Sequence, residues 1–162
     1  MITPPLRWGI LGTANIARKN WLAIHNSGNG TVTAVASRSG ERVRKFIQEC
    51  QTRAPMDALP VACDSYESLL ARPDVDAVYI PLPTGLRKEW VIRAADAGKH
   101  VVCEKPCGIS AAEVREMIAA CERNRVQFMD GVMFMHSARL ANIRETLDDG
   151  HSVGRLRRMN SH

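Results

Sequence analysis

The chain has 162 residues, 45% of them hydrophobic and 24% charged, which is typical of a soluble globular protein with one domain and a short extension. No apolar run approaches the ~20 residues that span a bilayer, and the N-terminal segment lacks the basic and apolar regions of a signal peptide, so we expect a cytoplasmic protein. The net charge of +5 is spread along the chain and aromatic residues are only 5% of it, which argues against nucleic-acid binding.

The hydrophobic pattern predicts strands that alternate with helices over most of the chain. In chain order we predict a strand over 6–11, a helix over 15–26, a strand over 31–36, a helix over 41–51, a strand over 60–63, a helix over 64–70, a strand over 76–81, a helix over 88–97, a strand over 100–103, a helix over 110–123 and a strand over 126–132. Two capping boxes, at Asp64–Glu67 and Ser110–Glu113, mark helix starts. This order predicts an α/β fold with a doubly wound parallel sheet.

The pattern changes after Val132. A helix is predicted over 138–148, and a strand over 154–160 near the end of the chain. A lone terminal strand cannot satisfy its own backbone hydrogen bonds. We therefore expect either that the chain is truncated or that this strand pairs with another chain.

The cysteines show neither a disulfide pattern nor metal-ligand spacing. There are five, an odd number, they form no CxxC pair, and three lie in apolar segments. Buried free thiols are the better interpretation. The residues are Cys50, Cys63, Cys103, Cys107 and Cys121.

The turn after the first strand resembles the dinucleotide fingerprint G-x-G-x-x-G/A, with Gly12, Ala14 and Ala17 at its three key positions. The glycine permits the tight turn, and the helix start offers N–H groups to a pyrophosphate. Ala14 replaces the usual second glycine, and a plain strand–turn–helix is the alternative. The predicted pyrophosphate-binding residues are Gly12, Thr13, Ala14, Asn15 and Ile16.

The second strand ends in Ser37-Arg38-Ser39-Gly40, where an NAD enzyme usually has an acidic residue for the ribose 2′-hydroxyl. No carboxylate is present here to repel a 2′-phosphate. The hydroxyls of Ser37 and Ser39 can donate to one, Arg38 can pair with it and stack on adenine, and Arg42 can assist. The pattern favours NADP as the cofactor, with a solvated turn as the alternative.

Two further loops lie at the carboxyl ends of strands, where open parallel sheets bind ligands. Pro81, Leu82 and Pro83 are predicted to border the nicotinamide, although the prolines could simply end the strand. At the next edge, Lys105 can relay a proton to or from a substrate oxygen. We expect it to be partly buried and Glu104 to hold its ammonium, with Pro106 as a rigid residue whose peptide bond can be cis. A salt-bridged surface loop is the alternative.

The motifs together carry a resemblance to a known family. GTANIA at 12–17, ASR at 36–38, YESLL at 66–70, DAVYIP at 76–81 and GKHVVCEKP at 98–106 occur in this order. The set resembles the Gfo/Idh/MocA oxidoreductases over essentially the whole chain. MDGVMFMH at 129–136 is similar to the NADP-type branch near dihydrodiol dehydrogenase.

The resemblance implies a Rossmann-type NADP-binding domain over 1–132, followed over 133–162 by the beginning of a C-terminal substrate and oligomerisation domain. Lys105 matches the family's active-site lysine, and residues 133–136 match a segment that faces the substrate. Many members have a histidine where this chain has Arg87, which bears on substrate or cofactor contacts. The family's catalytic histidine belongs to the second domain, and His136 is better interpreted as a surface residue.

The implied function is hydride transfer between nicotinamide and a hydroxyl or carbonyl carbon of a sugar, polyol or dihydrodiol. The expected partners are this small-molecule substrate and, at full length, further copies of the protein, with no nucleic acid and no membrane. Because catalysis needs groups from both sides of the cleft, we expect little activity from these 162 residues alone. A non-catalytic NADP-binding module is the alternative.

Overall fold

The computed structural model describes residues 4–158 and 160. By packing, the chain divides into a first unit, Met1–Gly131, and a second unit, Val132–His162. The elements of the first unit are β1 (Leu6–Leu11), α1 (Asn15–Ser27), β2 (Gly30–Ala36), α2 (Gly40–Arg53), β3 (Val61–Cys63), α3 (Tyr66–Leu70), β4 (Ala77–Ile80), α4 (Thr84–Asp96), β5 (His100–Cys103), α5 (Ala111–Arg123) and β6 (Phe128–Asp130).

The six strands form one sheet in the order β3-β2-β1-β4-β5-β6, and every neighbouring pair is parallel. This is the strand order of the Rossmann fold, in which the chain crosses from β3 back to the other side of β1. The switch point lies between β1 and β4. The predicted fold class is confirmed.

Alternate strand residues face two separate hydrophobic clusters, one on each side of the sheet. Ile10 and Tyr79 belong to the cluster that includes Trp21 of α1 and Phe46 of α2. Their neighbours along the strands, Leu11, Val78 and Ile80, belong to the other cluster, with side chains of α3, α4 and α5. The near-continuous hydrophobicity of the strands therefore reflects burial on both faces.

Helix ends follow local side-chain chemistry. The hydroxyl of Ser110 accepts a hydrogen bond from the N–H of Glu113, as predicted, and Gly98 follows α4 with φ of +72°. The cap of α3 is Ser65, one residue later than predicted, and its box partner is Ser68.

Three predicted elements differ from the observed ones. Helix α4 begins at Thr84, four residues before the predicted start, because Pro83 takes the N-cap position. Strand β6 is limited to Phe128–Asp130. The strand predicted over 154–160 is absent from the described residues of that range, which exclude 159; they have no neighbouring strand to pair with.

The second unit contains a short 3₁₀ helix, Met133–His136, and helix α6, Ala138–Asp148. Ser137 caps α6, and its hydroxyl accepts from the N–H of Arg139. Most of the large apolar side chains described in this unit are exposed, with Met133 at 78% and Phe134 at 61%.

Across residues 4–158 and 160, none of the helices combines the length and the hydropathy that a membrane span requires. The same residues contain no trio of histidine, cysteine or acidic side chains placed to hold a metal ion. All five cysteines are free thiols, and four of them are buried.

Candidate functional site

The parallel sheet brings the predicted site residues to one edge. The last residues of β1 and β2, Leu11 and Ala36, are paired, and so are the last residues of β4 and β5, Ile80 and Cys103. The loops that follow these four strands therefore emerge side by side. In a doubly wound sheet this carboxyl edge, next to the switch point, is where ligands bind.

The turn after β1 has the conformation that the fingerprint requires. Gly12 has φ of +109°, and a Cβ at this position would lie 3.1 Å from Cδ2 of Leu82, so both the backbone and the space favour glycine. Its N–H donates to the carbonyl of Ala36 at 2.7 Å. Ala17 is fully buried and permits close packing of α1 on the sheet.

Helix α1 begins without a side-chain cap. The N-cap residue is Ala14, and the first turn contains no acidic residue. Thr13 and Ile16 are half-buried and Asn15 is exposed. The helix start therefore presents N–H groups and a partial positive charge at the carboxyl edge, where an anionic group can accept from them.

The turn after β2 is built by its two serines. Ser37 is buried, and its hydroxyl accepts from the N–H of Ser39 at 3.2 Å and donates to the Ser39 carbonyl at 3.0 Å. The Ser37 hydroxyl thus donates its proton within the turn, and its contact with a phosphate stays a prediction. The hydroxyl of Ser39 accepts from the N–H of Arg42 at 3.4 Å and has no acceptor for its own proton among the described residues.

Two cations lie at this turn. Arg38 and Arg42 are exposed, and neither forms an ion pair with any residue in the described part of the chain. Both act electrostatically on the same phenol: burial raises the pKa of Tyr66, and the positive charges of Arg38 and Arg42 oppose that rise. The two guanidinium groups thus lie near one place, beside the start of α3.

The loop after β4 both ends the strand and lines the edge. Pro81 and Leu82 are buried, whereas Pro83 is exposed. The Leu82 side chain lies against the space above Gly12. The prolines therefore end the strand and Leu82 lies beside the first turn; that this segment borders the nicotinamide stays a prediction.

The loop after β5 corrects two expectations. The Lys105 side chain is exposed rather than partly buried. The Glu104 carboxylate, which is buried, accepts from the Tyr79 hydroxyl at 2.8 Å and from the backbone N–H of Lys105 at 3.0 Å, so it does not hold the ammonium. The Lys105–Pro106 peptide bond is cis, as expected.

A short polar chain leads from α1 to this loop. The Asn20 amide donates to the Tyr79 hydroxyl at 2.8 Å, and that hydroxyl donates to Glu104. Burial, followed by the hydrogen bond to Glu104, raises the pKa of Tyr79 far above its usual value. Burial also raises the pKa of the Cys103 thiol to about 12, so this cysteine is a poor nucleophile.

Arg87 stands where many members of the family have a histidine, a departure that puts the family's local contacts in doubt, and the structure places it in the interior. Its side chain is 8% exposed. Its Nε donates to the Leu82 carbonyl at 2.6 Å, and its Nη1 donates to the carbonyls of Glu104, at 2.9 Å, and Pro106. The signal in the sequence was helical spacing, since Arg87 shares the buried face of α4 with Trp90, Val91 and Ala94.

These features define a class of protein: a Rossmann-type dinucleotide-binding domain, with a glycine turn, an uncapped helix start and a cationic second turn at the carboxyl edge. A family model described as GFO/IDH/MocA, an oxidoreductase family with an NAD-binding Rossmann fold, matches residues 6–132. The chain belongs to this family.

Comparisons with individual proteins agree with this family assignment. The chain is 40% identical over 129 residues to D-xylose 1-dehydrogenase (NADP(+)) 2 of Haloferax volcanii, covering 80% of this chain and 38% of the relative. It is 35% identical over 154 residues to trans-1,2-dihydrobenzene-1,2-diol dehydrogenase of Mus musculus, covering 94% of this chain and 44% of the relative.

A solved structure shows the same fold. The 3-ketoreductase KijD10 of Actinomadura kijaniata, in complex with NADP, superposes with a TM-score of 0.82 at 34% identity, covering 93% of this chain and 45% of KijD10. The chain thus spans less than half the length of each of these three proteins.

Proposed function

We propose that this chain is the NADP-binding part of an oxidoreductase that transfers hydride between nicotinamide and a hydroxyl or carbonyl carbon of a sugar, polyol or dihydrodiol. The observation that carries the proposal is a pair of cations without ion-pair partners among the described residues. Arg38 lies in the turn 37–40, which has no carboxylate, and Arg42 lies in the first turn of α2; both follow β2, whose neighbour β1 leads to the uncapped start of α1. The substrate class is supported by the names of the relatives, which act on xylose and on a dihydrodiol.

The residues fit an NADP molecule in three places. Gly12 and the N–H groups at the start of α1, over residues 13–16, would hold the pyrophosphate, because a helix start without a cap favours an anion. Arg38, Arg42 and the Ser39 hydroxyl would hold the 2′-phosphate, with charge-assisted hydrogen bonds. Leu82 would border the nicotinamide side of the crevice.

Lys105 would act on the substrate oxygen. When bound, NADPH supplies the hydride for the carbon atom. The exposed ammonium of Lys105, at the carboxyl end of β5, donates a proton to the oxygen in reduction and takes it back in oxidation. Glu104 contributes indirectly, since its carboxylate holds the Lys105 backbone N–H.

A second function, cofactor binding without turnover, is favoured by one observation. The described residues of the loop after β5, 104–110, supply a single exposed cation, Lys105. Cofactor binding and hydride transfer therefore require separate measurements.

The test of the cofactor site is a charge removal with a matched control. Arg38→Ala is expected to raise the Kd for NADPH about 10- to 100-fold and to change the Kd for NADH less than about threefold, because only NADPH carries the 2′-phosphate. Arg53→Ala removes an exposed arginine at the C-terminal end of α2, about 16 Å along the helix from Arg42 at 1.5 Å per residue, and should leave both constants unchanged. An equal loss for both cofactors in Arg38→Ala would refute the assignment.

A further inference from the structure

We propose that Arg87 is a positioning residue that fixes the backbone on both sides of Lys105. The inference rests on the role proposed above for Lys105. Arg87 lies in the first turn of α4 and is almost completely buried. Its guanidinium is therefore not free to contact solvent or a cofactor. Its hydrogen bonds are made inside the first unit.

The Arg87 guanidinium joins two loops. Its Nε donates to the carbonyl of Leu82 in the loop after β4, and its Nη1 donates to two carbonyls of the loop after β5, those of Glu104 and Pro106. The N–H groups of a guanidinium have fixed directions in one plane. A lysine ammonium, which concentrates its donors on one atom, could not hold both loops in this geometry.

The backbone N–H of Lys105 also has a partner. It donates to the Glu104 carboxylate, whose other oxygen accepts from Tyr79. The Lys105 N–H and the carbonyls of the residues on either side of it, Glu104 and Pro106, are therefore hydrogen-bonded, whereas the Lys105 side chain is exposed and has no ion-pair partner among the described residues. A rigid backbone beneath a free ammonium is the arrangement that positions a proton donor.

The ion pairs of the described residues give Arg87 no carboxylate partner, and the three acceptors are neutral carbonyls. If Arg87 served stability alone, an apolar side chain among Trp90, Val91 and Ala94 would fill its place. The guanidinium instead donates hydrogen bonds to the two loops beside the nicotinamide side of the proposed site. These contacts indicate a positioning role.

Amide hydrogen exchange of the complete 162-residue chain tests this role without requiring activity. In Arg87→Gln we expect exchange at the Lys105 amide to accelerate at least about tenfold, because the loop can open locally. Amides of the central sheet, such as those of Val35 and Val78, should change less than about threefold. Arg87→Lys should fall between the wild type and Arg87→Gln. The matched control is Arg93→Gln, an exposed arginine on the same helix, and it should leave Lys105 unchanged.

Two results would overturn the inference. One is an unchanged rate at Lys105 in Arg87→Gln. The other is an equal acceleration at Lys105, Val35 and Val78, which would mean that Arg87 only stabilises the fold. If Arg87→Gln does not fold, Arg87→Lys is judged by the same two criteria.

A second arm separates this inference from the proposed function. NADPH should slow exchange at Ile16 and at Lys105 in the wild type. In Arg87→Gln the slowing at Ile16 should persist and most of the slowing at Lys105 should be lost. If NADPH slows exchange nowhere in the wild type, the proposed function fails, and the cofactor-free comparison still decides the role of Arg87.

Discussion

The Tyr79 hydroxyl donates a 2.8 Å hydrogen bond to the buried carboxylate of Glu104, and this bond ties β4 to the loop that carries Lys105. A buried carboxylate is costly unless donors surround it. Glu104 has two, the Tyr79 hydroxyl and the Lys105 N–H. The hydroxyl in turn accepts from Asn20 of α1. The backbone of Lys105, the proposed proton donor, is thus linked to α1 through the hydrogen bonds of Glu104 and Tyr79.

Removing the Tyr79 hydroxyl should destabilise the protein. Tyr79→Phe leaves the buried Glu104 carboxylate with one donor fewer and the Asn20 amide with only the more distant Ile16 carbonyl as acceptor, which should lower the free energy of unfolding by about 1–3 kcal/mol. Urea denaturation measures this change. The control is Tyr66→Phe, since the Tyr66 hydroxyl has no hydrogen bond to the described residues; equal losses in both variants would contradict the account.

Replacing Gly12 should affect both stability and binding. Gly12→Ala places a Cβ on a residue with φ of +109° and at 3.1 Å from Leu82, which should cost about 1–3 kcal/mol and weaken NADPH binding by displacing the turn. Gly85→Ala is the matched control, because a Cβ there meets nothing within 4 Å in the first turn of α4. It should be neutral or stabilising by up to about 1 kcal/mol. A Gly12→Ala protein as stable as the wild type would be the contrary result.

Asp76 should contribute to acid unfolding. Hydrogen bonds from the Arg7 side chain, at 2.6 and 2.9 Å, hold the pKa of Asp76 below its usual value. A carboxyl whose pKa is lower in the folded state contributes stability above its unfolded pKa of about 3.9, and that contribution is lost as the pH falls through the folded value.

Asp76→Asn should therefore flatten the dependence of unfolding free energy on pH below about pH 4. Thermal unfolding from pH 6 to pH 2 measures it. Asp57→Asn, at an exposed carboxylate without an ion-pair partner in the described chain, should keep the wild-type slope. The interpretation fails if Asp76→Asn shows the same acid slope as the wild type.

The fold could be predicted from the sequence because the central strands are largely buried on both faces and are therefore nearly continuous hydrophobic segments, as β4 shows. The start of α4 was missed because Thr84 and Gly85, after two prolines, have the composition of a turn. Pro83 in fact occupies the N-cap position, and proline is well tolerated at the beginning of a helix.

The side-chain partners of the site were harder to predict. Glu104 and Lys105 are adjacent in sequence, which suggested an ion pair, yet successive residues at the end of a strand point in opposite directions. Glu104 therefore lies toward Tyr79, while Lys105 is exposed. The partners of Arg87 are backbone carbonyls of two loops, and no pattern of residue types encodes such contacts.

Calorimetric titration of the wild-type chain with NADPH and with NADH tests the central claim most directly. We predict that NADPH binds at least about tenfold more tightly than NADH, because only its 2′-phosphate can pair with Arg38 and Arg42. Equal affinity for the two dinucleotides, or binding of neither, would contradict the account.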